Sequence, residues 1–263
     1  MATHLIVTPR IKQEELHVWC ANLRDFDLAV PALWAVLSPW ERTCAERFHL
    51  LHDKENYIIR HGMLRMLLGA YVGQAPADLD LMIGTNGKPE LRASGGGSEV
   101  HFNLSHSGDV ALFGFTGACP IGVDVEHIQP IPHCEKIASE YFSPTEVARL
   151  MALPGEFRIE RFFDLWTRKE ALFKATGNSF RARQFDQPVS LSQAETSNHQ
   201  ESPASRGASA EWHVRSFSPR AGYIGAVAFS KPDLDLIHRS APAFFSEELW
   251  CPEQSVIRTQ PGT

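Results

Sequence analysis

The sequence has few cysteines and no long apolar stretch. Its 263 residues contain five cysteines, which are widely spaced and form no Cys-x-x-Cys pair. No segment approaches the roughly 18 consecutive apolar residues of a membrane-spanning helix, and the start of the chain lacks the apolar core of a signal peptide. These absences predict reduced thiols, a cytoplasmic location and no membrane partner.

The sequence also lacks an excess of positive charge and a hydrolase nucleophile motif. Its 25 Lys and Arg residues stand against 31 Asp and Glu residues, which gives a net charge of −6. Because nucleic-acid binding requires a basic surface, we expect no nucleic-acid partner, although a local basic pocket is compatible with this charge. No Gly-x-Ser-x-Gly occurs, which argues against a Ser-His hydrolase. The length allows one large domain or two small ones.

The stretch IGVDVEHIQP, from Ile121 to Pro130, combines alternating apolar residues with two carboxylates. The alternation is typical of a strand with one face in a core. Residues two apart on a strand share a face, so Asp124 and Glu126 should point one way while Val123 and Val125 face the core. Two carboxylates on one face form a candidate cation site that still requires a third ligand. The alternative is a solvent-exposed acidic face.

The segment RFFDLWTRKEALFKATGN offers that third ligand. Its apolar residues recur at helical spacing, and Gly177 followed by Asn178 predicts the end of the helix. Glu170 and Lys174 are four residues apart and are therefore neighbours on one helix face. A carboxylate and an ammonium group would then enter one site together. The alternative is an ordinary helix ion pair, worth roughly a few tenths of a kcal/mol.

A third stretch, VHFNLSHSGDVALFGF, precedes the acidic strand. Its pattern is typical of two strands joined by a polar turn, with Ser105, His106 and Ser107 at the turn and Gly108 allowing the chain to reverse. Consecutive strands separated by turns and followed by a helix predict an α+β fold.

Together these stretches resemble the Sfp-type 4'-phosphopantetheinyl transferases, from about Ser38 to about Leu191. Motifs of that family occur in order as Phe102-Asn103-Leu104-Ser105-His106-Ser107, Ile121-Gly122-Val123-Asp124-Val125-Glu126, Phe142-Ser143-Pro144-Thr145-Glu146, and the segment from Trp166 to Gly177. Gly87-Lys88-Pro89 lies upstream, where the family usually has Gly-Lys-Pro. No single motif is specific, but the combination in this order is highly specific.

The resemblance implies two similar α/β halves related by a pseudo-twofold axis, with the active site in the cleft between them. Residues 1–118 would form the first half and carry the coenzyme A nucleotide contacts. Residues 119–241 would form the second half, with the metal-binding carboxylates, the Glu170 helix and a mobile insert at 192–210. Residues 242–263 would be a tail that packs on the body. No internal repeat is visible in the sequence itself.

The resemblance also implies a reaction. A member of this family transfers the 4'-phosphopantetheine arm of coenzyme A to a serine of an apo carrier protein and releases 3',5'-ADP. The carrier would be an acyl, peptidyl or polyketide carrier domain, and we expect the enzyme to be a monomer. The sequence does not identify which carrier or pathway it serves.

The family roles fit the chemistry of the matching carboxylates. Asp124, Glu126 and Glu170 would hold Mg²⁺, which prefers hard oxygen ligands of this kind. Glu170, Lys174 and Glu126 would form the catalytic set, with Lys174 on the pyrophosphate as a point charge. The base that takes the serine proton could be Glu170, Glu126 or Glu146. For Glu146 the alternative is a structural helix cap.

The nucleotide phosphates would be bound by Lys88, Arg60, Ser105 and His106, together with Lys174. Asn56 falls where the family often has an arginine near the 3'-phosphate, so Arg60 or His61 would have to replace that contact. This departure motivates an alternative function, a non-catalytic coenzyme A or nucleotide-binding module on the same scaffold. A second alternative is a Mg²⁺-dependent phosphohydrolase, which the same carboxylates could serve.

Overall fold

The fold combines helices with mainly antiparallel sheets. The computed structural model describes residues 10–84, 87–92, 100–177 and 211–241. In these ranges the helices are α1 (Val30–Val36), α2 (Pro39–Ala45), α3 (Leu51–Val72), α4 (Cys134–Tyr141), α5 (Pro144–Met151) and α6 (Gly155–Thr176). The strands are β1 (Glu15–Asn22), β2 (Leu81–Ile83), β3 (Pro89–Leu91), β4 (His101–Ser107), β5 (Val110–Thr116), β6 (Ile121–His127), β7 (His213–Phe217), β8 (Tyr223–Phe229) and β9 (Asp235–Ser240). The predicted α+β class is confirmed.

The first sheet has the strand order β4-β5-β1-β9 and packs against α3. β5 is antiparallel to both β4 and β1, whereas β9 is parallel to β1. Large apolar side chains fill the space between sheet and helix, among them Trp19, Phe113, Phe115, Ile59, Met63 and Leu67. β9 follows the second sheet in the chain, so part of the segment predicted for the second half returns to this sheet.

The second sheet has the order β6-β8-β7, is antiparallel throughout, and packs against α6. The contact is close because small residues line it: Ala171 and Ala175 of α6 pack with Ala226 and Ala228 of β8. Gly122 of β6 lies against the helix backbone, where a Cβ atom would overlap the Ala171 carbonyl oxygen. This glycine therefore sets the distance between α6 and the strand that carries the carboxylates.

The two sheets face one another across a second apolar layer. The buried cluster includes Leu16, Val18, Leu112, Val123, Val125 and Val227. Val123 and Val125 are almost fully buried, so the prediction that the valines of the acidic strand face a core is confirmed. The carboxylates between and beyond them consequently point away from this layer.

Local signals in the sequence explain several helix boundaries. Ser38 and Ser143 each open a helix with a capping box, in which serine and the glutamate three residues later accept one another's backbone N–H. α3 and α6 both stop at a left-handed glycine, Gly73 at φ 69° and Gly177 at φ 73°. The predicted end of the Glu170 helix at Gly177 is confirmed, and Glu146 takes part in the helix cap that was its alternative interpretation.

Two predictions lie outside the described residues, namely the mobile insert at 192–210 and the packing of the tail at 242–263. The predicted division of the chain between residues 118 and 119 stays a prediction. None of the helices in the described part of the chain combines the length and hydropathy of a membrane span.

We expect Gly122→Ala to lower stability and to displace α6. The added methyl group would meet backbone atoms of α6, so no rotamer change can relieve the overlap. Overpacking of this kind costs about 1–3 kcal/mol, which should lower the thermal unfolding midpoint by about 3–10 °C. Gly155→Ala is the control, since a Cβ there meets nothing within 4 Å. An undiminished midpoint for Gly122→Ala would contradict the close contact.

Candidate active site

Polar side chains join β4 to β6 where the edges of the two sheets meet. Among the described strands these two do not share a backbone ladder. Asn103, Ser105 and Ser107 of β4 reach across instead, and the Asn103 Oδ1 accepts the backbone N–H of Val123 at 2.8 Å. Because the three residues alternate along a strand, they share one face. They hold β6 and its two carboxylates in register with β4.

The turn after β4 is shorter than the sequence predicts. Ser105, His106 and Ser107 were expected at the turn, but they are paired with β5 in the antiparallel ladder, so that prediction is wrong. The reversal involves Gly108, at φ 51°, and Asp109 alone. Serine and glycine are typical of turns, but here the serine hydroxyls bind side chains of β6 rather than the local backbone.

Asp124 lies at the centre of the junction and is only 4% exposed. Its Oδ1 accepts hydrogen bonds from Lys174 Nζ at 2.7 Å and from Ser105 Oγ at 2.8 Å. Its Oδ2 is buried and has no hydrogen-bond partner among the described residues. Burial raises the pKa of Asp124, while Lys174 and Ser105 oppose that rise. A buried acceptor without a donor is costly, so this oxygen is suited to binding a cation.

Glu126 is the second carboxylate on this face of β6. Its Oε2 accepts the Ser107 hydroxyl at 2.8 Å. Burial raises the pKa of Glu126, and the charge of Asp124 adds to this rise, whereas hydrogen bonds from Ser107 and Trp166 oppose it. Trp166 therefore binds the Glu126 carboxylate and also packs against the apolar cluster beside α6.

Glu170 precedes Lys174 by one turn of α6, as the sequence predicts. Burial, together with the negative charges of Asp124 and Glu126, raises the pKa of Glu170 to about 7, and Lys174 opposes this rise. The three carboxyl groups are thus within electrostatic reach of one another. We call Asp124, Glu126 and Glu170 the carboxyl cluster.

The carboxyl cluster is not arranged around a single point in this structure. In the described ranges no group of three or more His, Cys, Asp or Glu side chains is placed to hold a metal ion. The Lys174 ammonium group instead neutralises Asp124. The donor set still fits a hard divalent cation, because it offers three carboxyl groups with raised pKa values and one bare oxygen. The predicted metal-binding role of Asp124, Glu126 and Glu170 stays a prediction.

Basic side chains gather beside the carboxyl cluster. Desolvation and the charge of Lys174 lower the pKa of Lys88 to about 8, and desolvation lowers the pKa of Arg60 to about 10. The pKa of His106 falls to about 4 because the surrounding protein removes water, although the side chain still reaches solvent. The charges of Arg60, Lys174 and His61 add to this effect. Arg60, His61, Lys88, His106 and Lys174 form what we call the basic cluster, a local concentration of basic side chains within an acidic protein.

The structure brings most of the predicted site residues together, and one candidate lies elsewhere. Ser105 contacts Asp124 and Lys174 rather than the other members of the basic cluster. Glu146 is 2% exposed, caps α5 and forms a buried ion pair with Lys169 at 2.9 Å. The structural interpretation of Glu146 as a helix cap is confirmed, and its burial removes it from the surface a substrate could reach.

Asn103, Ser107 and Trp166 were not predicted as site residues, yet each of them binds β6 or one of its carboxylates. A signal was present for the first two, because Asn103, Ser105 and Ser107 alternate and would share a face on a strand. Trp166 had no distinguishing signal, since its spacing on α6 fits a core position equally well.

The sequence is similar to known proteins of one family. The sequence model of the 4'-phosphopantetheinyl transferase superfamily matches residues 120–228. The chain is 32% identical over 215 residues to the 4'-phosphopantetheinyl transferase HetI of Nostoc sp., across 82% of this chain and 87% of HetI. The chain therefore belongs to the 4'-phosphopantetheinyl transferase superfamily. It is also 35% identical over 150 residues to the 4'-phosphopantetheinyl transferase psf-1 of Bacillus pumilus, across 54% of this chain and 62% of psf-1.

Proposed function

We propose that the protein transfers the 4'-phosphopantetheine arm of coenzyme A to a serine of an apo carrier protein, with Mg²⁺ as the metal. As a member of its superfamily it is a transferase. The observation that carries the proposal is the position of Lys174. Its Nζ lies 2.7 Å from Asp124 Oδ1, and its charge lowers the pKa of both Lys88 and His106. One side chain thus links the carboxyl cluster to the basic cluster.

The basic cluster would bind the anionic half of coenzyme A. The pyrophosphate and the 3'-phosphate carry several negative charges, which Arg60, Lys88 and Lys174 would neutralise. His106, neutral near pH 7 because its pKa is about 4, would contribute a hydrogen bond. Ser105 accepts a hydrogen bond from Lys174 Nζ at 2.9 Å and would keep the lysine directed at the pyrophosphate.

The carboxyl cluster would hold Mg²⁺ through Asp124, Glu126 and Glu170. The raised pKa values of all three groups and the bare Oδ2 of Asp124 support this assignment. When bound, the ion would withdraw negative charge from the pyrophosphate oxygens. Lys174 could then turn from Asp124 to the phosphates, because the ion would neutralise the Asp124 carboxylate in its place.

Transfer requires that the serine hydroxyl lose a proton as its oxygen attacks the phosphorus that carries the pantetheine arm. The bond from that phosphorus to the bridging oxygen breaks, and 3',5'-ADP leaves. Glu170 is our candidate for the base, because its pKa of about 7 in the absence of a metal ion shows that it can hold a proton near neutral pH, and a bound Mg²⁺ would lower that value. Lys174 would neutralise charge on the departing phosphate. Glu126 is held by a hydrogen bond from Ser107. It would bind the metal ion and serve as the alternative base.

Correspondences along the chain support two halves related by a pseudo-twofold axis. The sequence Ser-Pro-x-Glu opens α2 at Ser38 and α5 at Ser143, and each glutamate forms a buried ion pair with the long helix that follows. Those helices, α3 and α6, are both 22 residues long and both end at a left-handed glycine. Residues 1–118 and 119–241 would form the halves, with β9 as an added strand. The active site would lie in the cleft between them, so one chain would act as a monomer.

Intact-protein mass spectrometry tests the proposal. Apo acyl, peptidyl and polyketide carrier proteins are each incubated with the protein, coenzyme A and Mg²⁺, and matched samples receive EDTA. We expect one carrier at least to gain the mass of a single phosphopantetheine arm, EDTA to prevent the gain, and a carrier with its acceptor serine replaced by alanine to stay unmodified. A gain that survives EDTA would remove Mg²⁺ from the proposal.

Two other outcomes correspond to the alternative functions. Bound coenzyme A without modification of any carrier would favour a non-catalytic binding module. Cleavage of coenzyme A in the absence of carrier would favour a phosphohydrolase. The raised pKa of Glu170, about 7, favours transfer, because a module that only binds coenzyme A does not need a proton acceptor beside the ligand.

A further inference from the structure

Glu41 of α2 is a buried carboxylate that the proposed reaction does not use. It is 4% exposed. Burial alone would raise its pKa, but the contact with His61, the hydrogen bonds from Ser38 and the charge of Arg65 outweigh burial and lower the pKa to about 2. Glu41 is therefore ionised at any physiological pH and requires several donors around it.

The two oxygens of Glu41 have different partners. Oε2 accepts the Arg65 Nε at 2.6 Å and both the backbone N–H and the hydroxyl of Ser38, each at 2.8 Å. Arg65 also donates to the carbonyl oxygens of Pro76 and Leu79, which anchors the pair in the core. Oε1 faces the His61 Nδ1 at 3.6 Å. Oε2 thus binds Arg65 and Ser38, whereas Oε1 faces His61.

The ring of His61 is held in two directions. It stacks on Tyr57 with centroids 4.0 Å apart and planes 21° apart, which fixes the plane of the ring. Nδ1 faces Glu41 Oε1 at 3.6 Å, and Nε2 consequently lies on the side of the ring away from Glu41. The His61 charge acts on His106, beside Arg60. His61 is therefore an oriented member of the basic cluster.

We propose that Glu41 is a positioning residue for coenzyme A, which fixes the His61 ring so that Nε2 donates a hydrogen bond to a phosphate of the nucleotide. The inference rests on the proposed function. A carboxylate at Nδ1 leaves Nε2 as the nitrogen that faces a ligand. The plain alternative is that Glu41 only caps α2 and neutralises Arg65.

Binding of adenosine 3',5'-bisphosphate, measured by isothermal titration calorimetry on the full chain, separates the two roles. Glu41→Gln keeps the length and the capping ability of the side chain but removes its charge. His61→Phe keeps a ring stacked on Tyr57 but removes both nitrogens. We expect each variant to bind about tenfold more weakly, the loss of one charge-assisted hydrogen bond, and the same loss to appear in the KM for coenzyme A.

The double variant provides the decisive comparison. If Glu41 acts through His61, Glu41→Gln should cause no further loss of affinity in the His61→Phe background. Equal losses in both backgrounds would show a purely structural role and overturn the proposal. Glu46→Gln, a charge change at an exposed residue just after α2, is the matched control and should bind as the unaltered protein does.

The remaining outcomes also decide the matter. Normal binding by His61→Phe would overturn the proposal even if Glu41→Gln failed to fold, which thermal unfolding would reveal. Failure of the proposed function is recognised separately, because the unaltered protein would then leave every carrier unmodified in the mass spectrometry assay. Failure of the positioning role would leave that transfer intact.

Discussion

Asp124→Asn is expected to lower kcat/KM for carrier modification by about 10²–10³-fold, the usual effect of removing one preorganised electrostatic group. The carboxylate is the partner of Lys174 at 2.7 Å and of Ser105 at 2.8 Å. An amide would remove the negative charge that holds the lysine between the two clusters. It would also remove one of the three proposed ligands of Mg²⁺.

The same substitution should leave the fold intact. Burial raises the pKa of Asp124, which means that its charge is costly to the folded protein, so a neutral isostere should not lower the thermal unfolding midpoint. Glu140→Gln, on the exposed side of α4, is the control for loss of a carboxylate and should retain activity. Near-normal kcat/KM in Asp124→Asn would remove the carboxyl cluster from the mechanism.

The parts of the site that the sequence predicted depend on local periodicity. Alternation along β6 placed Asp124 and Glu126 on one face, and helical spacing along α6 made Glu170 and Lys174 neighbours. Both relations follow from the backbone geometry of a single element. For the same reason the valines of β6 and the caps at Ser38 and Ser143 could be predicted without knowledge of the fold.

The parts that the sequence did not predict depend on contacts between distant segments. Among the described strands β4 and β6 share no backbone ladder and are joined by side chains of β4, so the roles of Asn103 and Ser107 appear once the two sheets are assembled. The parallel pairing of β9 with β1 joins residues more than two hundred positions apart, and no local pattern specifies it. The approach of Lys88 to Lys174 and of Arg60 to His106, which only the family resemblance predicted, likewise requires the packing of α3 and α6 around two sheets.

The proposed correspondence between two halves lies between these extremes. Ser-Pro-x-Glu occurs at both Ser38 and Ser143, and a glycine ends both long helices, so the proposed repeat would have a sequence signal. The two long helices themselves are harder to match, because the residue that pairs with the glutamate differs. It is Arg65 in α3 and Lys169 in α6. The structural requirement is a buried cation on the long helix, and either side chain meets it.

Glu170→Gln is expected to abolish transfer and yet to stabilise the protein above pH 7. The folded-state pKa of Glu170 is about 7, against an ordinary value of 4.5, because of burial and the charges of Asp124 and Glu126. Between these two values the folded protein binds more protons than the unfolded chain does. Stability therefore falls as pH rises through this window and stays lower above it. Glutamine removes the titration.

Thermal unfolding in EDTA at pH 5 and pH 8 measures this effect. The unaltered protein should lose more stability between the two pH values than Glu170→Gln, and the variant should melt a few degrees higher at pH 8. The difference should be modest, because Glu170 is only partly buried and solvent screens its charge. If the stability of both proteins changed with pH in the same way, the pKa of Glu170 would not be raised in the folded protein.

Adding Mg²⁺ should reverse the order of stability at pH 8. The ion binds the folded state and would raise the unfolding midpoint of the unaltered protein, whereas Glu170→Gln has lost one of its three proposed ligands and should respond little. Binding should also release protons, and more of them at pH 6 than at pH 8, because a carboxyl group with a pKa of about 7 must ionise to become a ligand. Calorimetry in two buffers of different ionisation enthalpy measures that release. If Mg²⁺ stabilised both proteins equally and released no protons, Glu170 would not be a ligand, and its raised pKa would belong to the base alone.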